Sequence, residues 1–333
     1  MEGKVSSMEA KLAVRTILLT MVAPAVWGST VTVTHLWLPP GRPLLSALLR
    51  ILPAGLLMLL WLRRLPHGRW WGRSLVLGTL NHAVFFGLLY AAAYRLPSGI
   101  AASLTAVAPL VVMGIAWLAL GERQPRITLG AAVAGVVGVV LLVAQGGRSG
   151  SVDLLGVGAA VGAVVSSSLG FVLVKRWTAP VDVLATTAWQ LVAGGVLLLP
   201  VALVAEGAPP ALDLSAVLAL AYLGLVGSVV GYVVWFRGLT RMDAGAVAVV
   251  GLVNPVVGTL LGVLLLGEPF GTVHLAATAL TLGSVLLAQA PVRRAVQDVV
   301  AGRRAGGRLV LRRVRTLEAT EAVAGPSVGA CHP

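Results

Sequence analysis

Apolar residues fill this chain in blocks of about twenty. They show neither the alternation of a half-buried strand nor the single stripe of a helix on a soluble core. Pro, Gly and charged residues separate the blocks. Segments bounded in this way cover 14–38, 43–62, 74–94, 98–120, 127–145, 154–174, 181–204, 214–236, 244–266 and 271–290. A helix rises about 1.5 Å per residue, so about 20 apolar residues cross a bilayer's hydrocarbon core. The pattern therefore predicts an all-α integral membrane protein with ten transmembrane helices joined by short links. Only the polar stretch after Pro291 departs from it.

Composition agrees with this reading. Of 333 residues, 58% are hydrophobic and 11% charged, and the mean hydropathy is +0.94. No water-soluble domain of this length needs so much apolar surface. The single cysteine, Cys331, excludes an intrachain disulfide and a thiolate metal cluster. The net charge of +13 matters less than its placement. In a ten-span weave one side carries Lys4, Lys11, Arg15, Arg63, Arg64, Arg69, Arg73, Arg123, Arg126, Lys175, Arg176, Arg237, Arg241 and the arginines between 293 and 315. The other side carries Arg42, Arg95 and Arg148, while Arg50 falls inside a span. Basic loops stay in the cytoplasm, so both termini are expected there. Ala23-Pro24-Ala25 mimics a signal-peptide cleavage site after a basic start, but the apolar run continues through Val31–Leu38 and cleavage would leave nine spans.

The chain also matches itself. At an offset of 146, residues 89–123 lie over 235–269 without a gap. The register superposes Gly99 on Gly245, Pro109 on Pro255, and Gly121-Glu122 on Gly267-Glu268. At an offset of 140 the second span lies over the seventh, placing Arg50 over Gln190. Each half then holds five spans, and an odd number turns the second half upside down. Such inverted repeats are a transporter architecture, with the substrate near the midplane at the repeat interface. The expected division is 1–145, 146–290 and a basic, partly disordered cytoplasmic tail, 291–333.

Two five-helix units, each with a Pro-bearing span, a Gly-Glu pair and a Gly-rich last helix, resemble the drug/metabolite transporter (DMT) superfamily. Within it the likeness is to the EamA-type transporters. Trp27-Gly28 and Arg50 fit the same pattern, and the resemblance covers about 14–290. It implies an inner-membrane carrier that exports small metabolites, amino acids or drugs by alternating access; the alternatives are an uptake carrier of the same fold and a membrane-embedded enzyme.

Candidate chemistry is sparse. Pro109 and Pro255 lie near the centres of two corresponding spans, where a Pro opens a helix around a cavity or merely kinks it. Asn254, opposite Ala108 in the repeat, can bond a substrate or a neighbouring helix. Burying Arg50 costs roughly 3 kcal/mol or more. It either attracts a substrate carboxylate or snorkels to the extracytoplasmic interface, about 10 Å away. His82 is the available intramembrane proton carrier, or else a hydrogen-bonded packing residue. Trp27, Tyr90 and Trp189 are candidate aromatic pathway residues, with Gln190 as Arg50's neutral counterpart. Trp37, Trp61, Trp70, Trp71 and Trp177 suit interfacial belts.

The remaining motifs mostly exclude. Gly147-Arg148-Ser149-Gly150 spells an intramembrane serine-protease motif but reads as a turn in a Gly-rich loop. No P-loop, metal-spaced His cluster or cofactor motif is present, so the chain is not expected to be an enzyme or to hydrolyse ATP. The expected partners are a small-molecule substrate and the bilayer, with anionic lipid under the Arg-rich tail and no nucleic acid.

Overall fold

The structure, a computed structural model, describes residues 2–95, 106–144, 153–266 and 271–289. Among these every regular element is helical. In chain order they are α1 (Glu2–Gly28), α2 (Thr30–Trp37), α3 (Pro43–Leu62), α4 (Trp70–Gly78), α5 (Val84–Arg95), α6 (Ala108–Leu120), α7 (Arg126–Ala144), α8 (Leu154–Arg176) and α9 (Val183–Glu206). There follow α10 (Leu214–Ala221), α11 (Gly231–Arg241), α12 (Ala244–Val250), α13 (Val253–Leu266) and α14 (Thr272–Ala288). Two wider π-helical turns, π1 (Thr79–Ala83) and π2 (Tyr222–Val230), join α4 to α5 and α10 to α11. Six runs are long and apolar enough to cross a membrane, and Ala108–Leu120, Arg126–Leu141 and Thr272–Ala288 are shorter apolar helices. The Gly147–Gly150 loop, Gly99, Gly267-Glu268-Pro269 and the tail with Cys331 lie outside the described residues.

The helices are apolar on their outer faces as well as their inner ones. On α3, Leu45, Leu48, Ile51 and Met58 are buried while Leu56, Leu57, Leu60 and Trp61 are exposed. Leu118 is 80% and Val204 89% exposed. A surface of this kind is stable in lipid and not in water. Trp37, Trp61 and Trp71 are exposed near helix ends, as an interfacial belt requires. Trp70 and Trp177 instead hold the Arg73 guanidinium between their rings, at 5.2 and 5.4 Å.

Pairing follows small residues. The closest-packed pairs are α3 with α9, α7 with α14, α5 with α8, and α1 with α11; α6 also packs on α8 and α12, and α1 on α13. A Cβ on Gly28 would meet the Asn254 carbonyl at 2.6 Å and the Gly258 nitrogen at 3.1 Å, so α1 crosses α13 almost backbone to backbone. Gly258 and Gly231 also have near neighbours, whereas Gly158 faces open space.

Acidic residues close the helix ends. Asp153, Asp182 and Asp213 cap α8, α9 and α10, accepting from the backbone N–H of Leu155, Ala185 and Ala216. Those N–H groups hold the Asp153 and Asp213 carboxyls below the ordinary range, helped by Arg95 at Asp153 and Ser215 at Asp213. The start of α3 is capped from a different helix: Glu206 accepts from the N–H of Leu44 and Leu45, at 2.8 and 2.9 Å.

The glycine environments set a paired test. A Cβ on Gly194 would fall 2.6 Å from the His82 Cβ and 2.8 Å from the Gly78 carbonyl, and nothing lies within 4 Å of one on Gly158. Gly194→Ala should lower stability by about 1–3 kcal/mol, the range for overpacking. Gly158→Ala should be neutral or slightly stabilising. Thermal unfolding of the purified protein in detergent distinguishes the two.

Candidate functional site

The polar side chains at the centre of the bundle gather at the two π segments. A π turn misaligns backbone hydrogen bonds and leaves carbonyls to be satisfied by side chains. At π1 the Leu80 carbonyl accepts from Ser166 Oγ of α8 at 2.8 Å. At π2 the Leu223 carbonyl accepts from Ser228 Oγ, five residues on, at 3.1 Å.

Arg50 reaches π2. Its Nε donates to Ser228 Oγ at 3.1 Å, its guanidinium lies 5.5 Å from the centre of the Phe86 ring, and the residue is 4% exposed. Glycines admit it: a Cβ on Gly224 would sit 3.0 Å from the Arg50 carbonyl, and one on Gly227 3.0 Å from a guanidinium nitrogen. Ser228 lies near the middle of the run Leu214–Arg241. Arg50 thus points to the middle of that run. Among the described residues no carboxylate pairs with Arg50, and Nε is its one hydrogen-bonding nitrogen.

His82 and Asn81 project from π1. His82 is fully buried, meets the Tyr232 ring edge-on at 4.5 Å, and has no hydrogen-bond partner on either ring nitrogen among the described residues. Asn81 Nδ2 donates to Gln190 Oε1 at 2.9 Å, while its Oδ1 is buried without a partner. Beside them Trp27 donates its Nε1 to the Gly227 carbonyl at 2.8 Å. Its ring lies 5.1 Å from Tyr232 and 5.4 Å from Trp235, and Phe171 extends the aromatic group from Trp235 at 5.5 Å. Among the described residues no three His, Cys, Asp or Glu converge in a manner suited to a metal ion.

The structure thus brings Trp27, Arg50, His82 and Gln190 together. Trp189 stands apart, packed on Trp70 at 6.1 Å with its Nε1 on the Arg64 carbonyl at 2.7 Å. The side chain of Tyr90 lies outside the described residues. Pro109 and Pro255 are not in helix interiors. Each occupies the first turn of a helix, α6 or α13, where a missing N–H costs nothing. Before α13 the chain breaks at Gly251-Leu252, and the Asn254 N–H bonds the Gly251 carbonyl at 3.0 Å. The Asn254 backbone takes up the α1 crossing at Gly28. Ser228, Asn81 and Tyr232 were not singled out as site residues from the sequence. The only signal for them was polar or aromatic character inside apolar spans.

A second polar junction lies at one end of the bundle. Glu122 forms an ion pair with Lys175 and accepts from the Ala244 N–H at 2.9 Å, and Lys175 donates to the Met242 carbonyl at 2.6 Å. One carboxylate so ties the end of α6 to the end of α8 and caps α12.

Comparison with known proteins places this geometry. The model of the EamA-like transporter family matches residues 14–144 and again 154–289. The chain belongs to that family. EamA-like relatives include protein PecM of Dickeya dadantii, 36% identical over 269 residues, covering 80% of this chain and 90% of PecM. The uncharacterized inner membrane transporter YedA of Escherichia coli K12 is 30% identical over 283 residues, covering 80% of this chain and 90% of YedA. A solved crystal structure shares the fold at a TM-score of 0.71 and 22% identity, over 84% of this chain and 98% of the other. This EamA-like chain is accordingly a multi-pass membrane transporter of the DMT type.

The Asn81–Gln190 bond yields a prediction. Gln190→Ala leaves a buried amide donor on Asn81 unsatisfied and should cost about 1–3 kcal/mol. Adding Asn81→Ala should cost less than the sum of the two single changes, with a coupling of roughly 1 kcal/mol. A double-mutant cycle of unfolding in detergent measures it; strict additivity would mean that the bond contributes nothing.

Proposed function

We propose that the protein is a secondary transporter that exports small solutes across the cytoplasmic membrane by alternating access. In this reading ten spans form two inverted five-helix repeats, both termini are cytoplasmic, and the substrate binds between Arg50, His82, Asn81 and the Trp27–Tyr232–Trp235 rings. The Arg-rich tail lies on anionic lipid.

The observation that carries this reading is how the helices pair. Numbering the spans one to ten and exchanging the first five with the second five maps the pairs onto one another. The α3–α9, α7–α14 and α6–α12 contacts map onto themselves; α5–α8 exchanges with α11–α1, and α6–α8 with α13–α1. The third span of each half carries the π turn. A Cβ on Gly78 would meet the Gln190 carbonyl at 2.7 Å, the counterpart of Gly224 on the Arg50 carbonyl. The double match of the family model gives the same division further support. A two-fold arrangement with its polar residues at the interface of the halves is what an alternating carrier requires.

In this mechanism the Glu122–Lys175 junction closes the cytoplasmic face, and parting it opens the site to that side. The halves are otherwise held by side-chain and small-residue contacts that can be exchanged for a second arrangement. Every gain in affinity for the open state must come from differential contact with the solute.

Two measurements test the proposal. Full-length chain carrying a C-terminal fluorescent reporter should glow, and the same chain fused to a phosphatase active only outside the cytoplasm should be silent; the reverse result would invert the topology. Glu122→Gln keeps an acceptor for the Ala244 N–H but loses the ion pair. In a Cys331→Ser, Ser228→Cys background it should raise labelling by a cytoplasmically applied impermeant maleimide several-fold. Unchanged labelling would remove the junction from the gate.

A further inference from the structure

We infer that the transported solute carries a carboxylate, which Arg50 seats at mid-depth, and that it enters or leaves through the seam between α3 and the α10–π2 span. This rests on the carrier reading above. A guanidinium remains charged at every physiological pH and offers five donors in a planar fork. Here one donor is used, on Ser228, and no acid among the described residues neutralises the charge. A buried cation without a counter-charge is costly, and the missing partner is a planar anion that can take the remaining donors side by side.

The same seam is the candidate route. A small surface cleft lies at its outer end, lined by Leu38, Arg42, Ser46, Leu49, Leu212 and Leu220. Ser46 and Arg50 are one helical turn apart on α3, and the cleft's other wall, at Leu220, leads into π2 and Ser228. Arg42 stands at the mouth, about 12 Å along the helix from Arg50. Two cations in line along one groove attract an anion from water and pass it inward. Beside the seat, Phe86, Tyr232 and Trp27 are apolar surfaces suited to the solute's body. One ring nitrogen of a neutral His82 and Asn81 Oδ1, buried and without partners among the described residues, are the acceptors available to a second polar group such as an ammonium.

The test uses matched pairs that differ in one charge: benzoate against benzamide, and phenylalanine against phenylalaninamide. Purified full-length protein in proteoliposomes is assayed for counterflow of each radiolabelled probe. The acids should be carried and the amides carried at least tenfold more slowly. Preference for phenylalanine over benzoate would identify a zwitterion, and the reverse a simple anion. Arg50→Gln should lower acid counterflow roughly ten- to hundredfold and so abolish the preference for acid over amide, and Arg50→Lys should recover part of it. Amides carried as well as acids, or equal loss of both in Arg50→Gln with a normal unfolding midpoint, would overturn the inference and leave the carrier reading standing. No movement of any of the four probes would overturn the inference for this solute class. If a wider panel of cations and neutral solutes were also still, the carrier reading would fall with it.

Discussion

A guanidinium cannot shed its proton, so at the middle of a lipid-embedded bundle Arg50 must find its partners inside the protein. Much of the surrounding architecture answers that requirement. The π2 turn swings Ser228 under Nε, and Ser228 in turn occupies the Leu223 carbonyl that the wider turn would leave open. Gly224 and Gly227 remove the side chains that would otherwise stand where α3 and its arginine approach. Trp27 covers the Gly227 carbonyl from the other side, so the irregular backbone is closed by indole and hydroxyl groups rather than by water.

The same economy explains why the fold has so few charges in its interior. Lipid supplies no hydrogen bonds, and every helix end within reach of it needs an acceptor or donor from the chain. Asp153, Asp182, Asp213, Glu122 and Glu206 meet that need, each at a helix N-terminus where a carboxylate also complements the dipole. Two of these caps, Glu122 on α12 and Glu206 on α3, cross between sequence-distant helices. The ends of the bundle are therefore joined by charged groups, while its middle is joined by glycine contacts and a few buried polar bonds.

What could be read from the sequence divides along the same line. Helix positions were legible because length and apolarity decide them: the expected 43–62 segment is α3, Pro43–Leu62, and 154–174 lies within α8. Arg50, His82, Trp27 and Gln190 were legible because a polar or aromatic group in an apolar span needs a reason. Ser228 and Asn81 were not, because their importance comes from the π turns, and a register change of one residue leaves no mark in composition. Pro109 and Pro255 marked interruptions rather than contacts: each lies in the first turn of a helix, and Pro255 follows the break at Gly251-Leu252 within one long apolar run.

The asymmetry between the halves is then the most informative feature of the centre. Arg50 and Gln190 hold the same place in the self-alignment, and each reaches the π segment of the opposite half: Arg50 to Ser228, Gln190 to Asn81. The second contact is neutral, a carbonyl taking an amide proton, and leaves only the Asn81 Oδ1 acceptor open. The first is charged and incomplete, a fork with one prong engaged. If the two halves shared only a structural duty at these positions, there would be no reason to bury a charge in one of them, since an amide satisfies the same geometry at far lower desolvation cost. In the carrier proposed above, that departure from symmetry is where a negative group would be recognised, on the α3–π2 side of the interface.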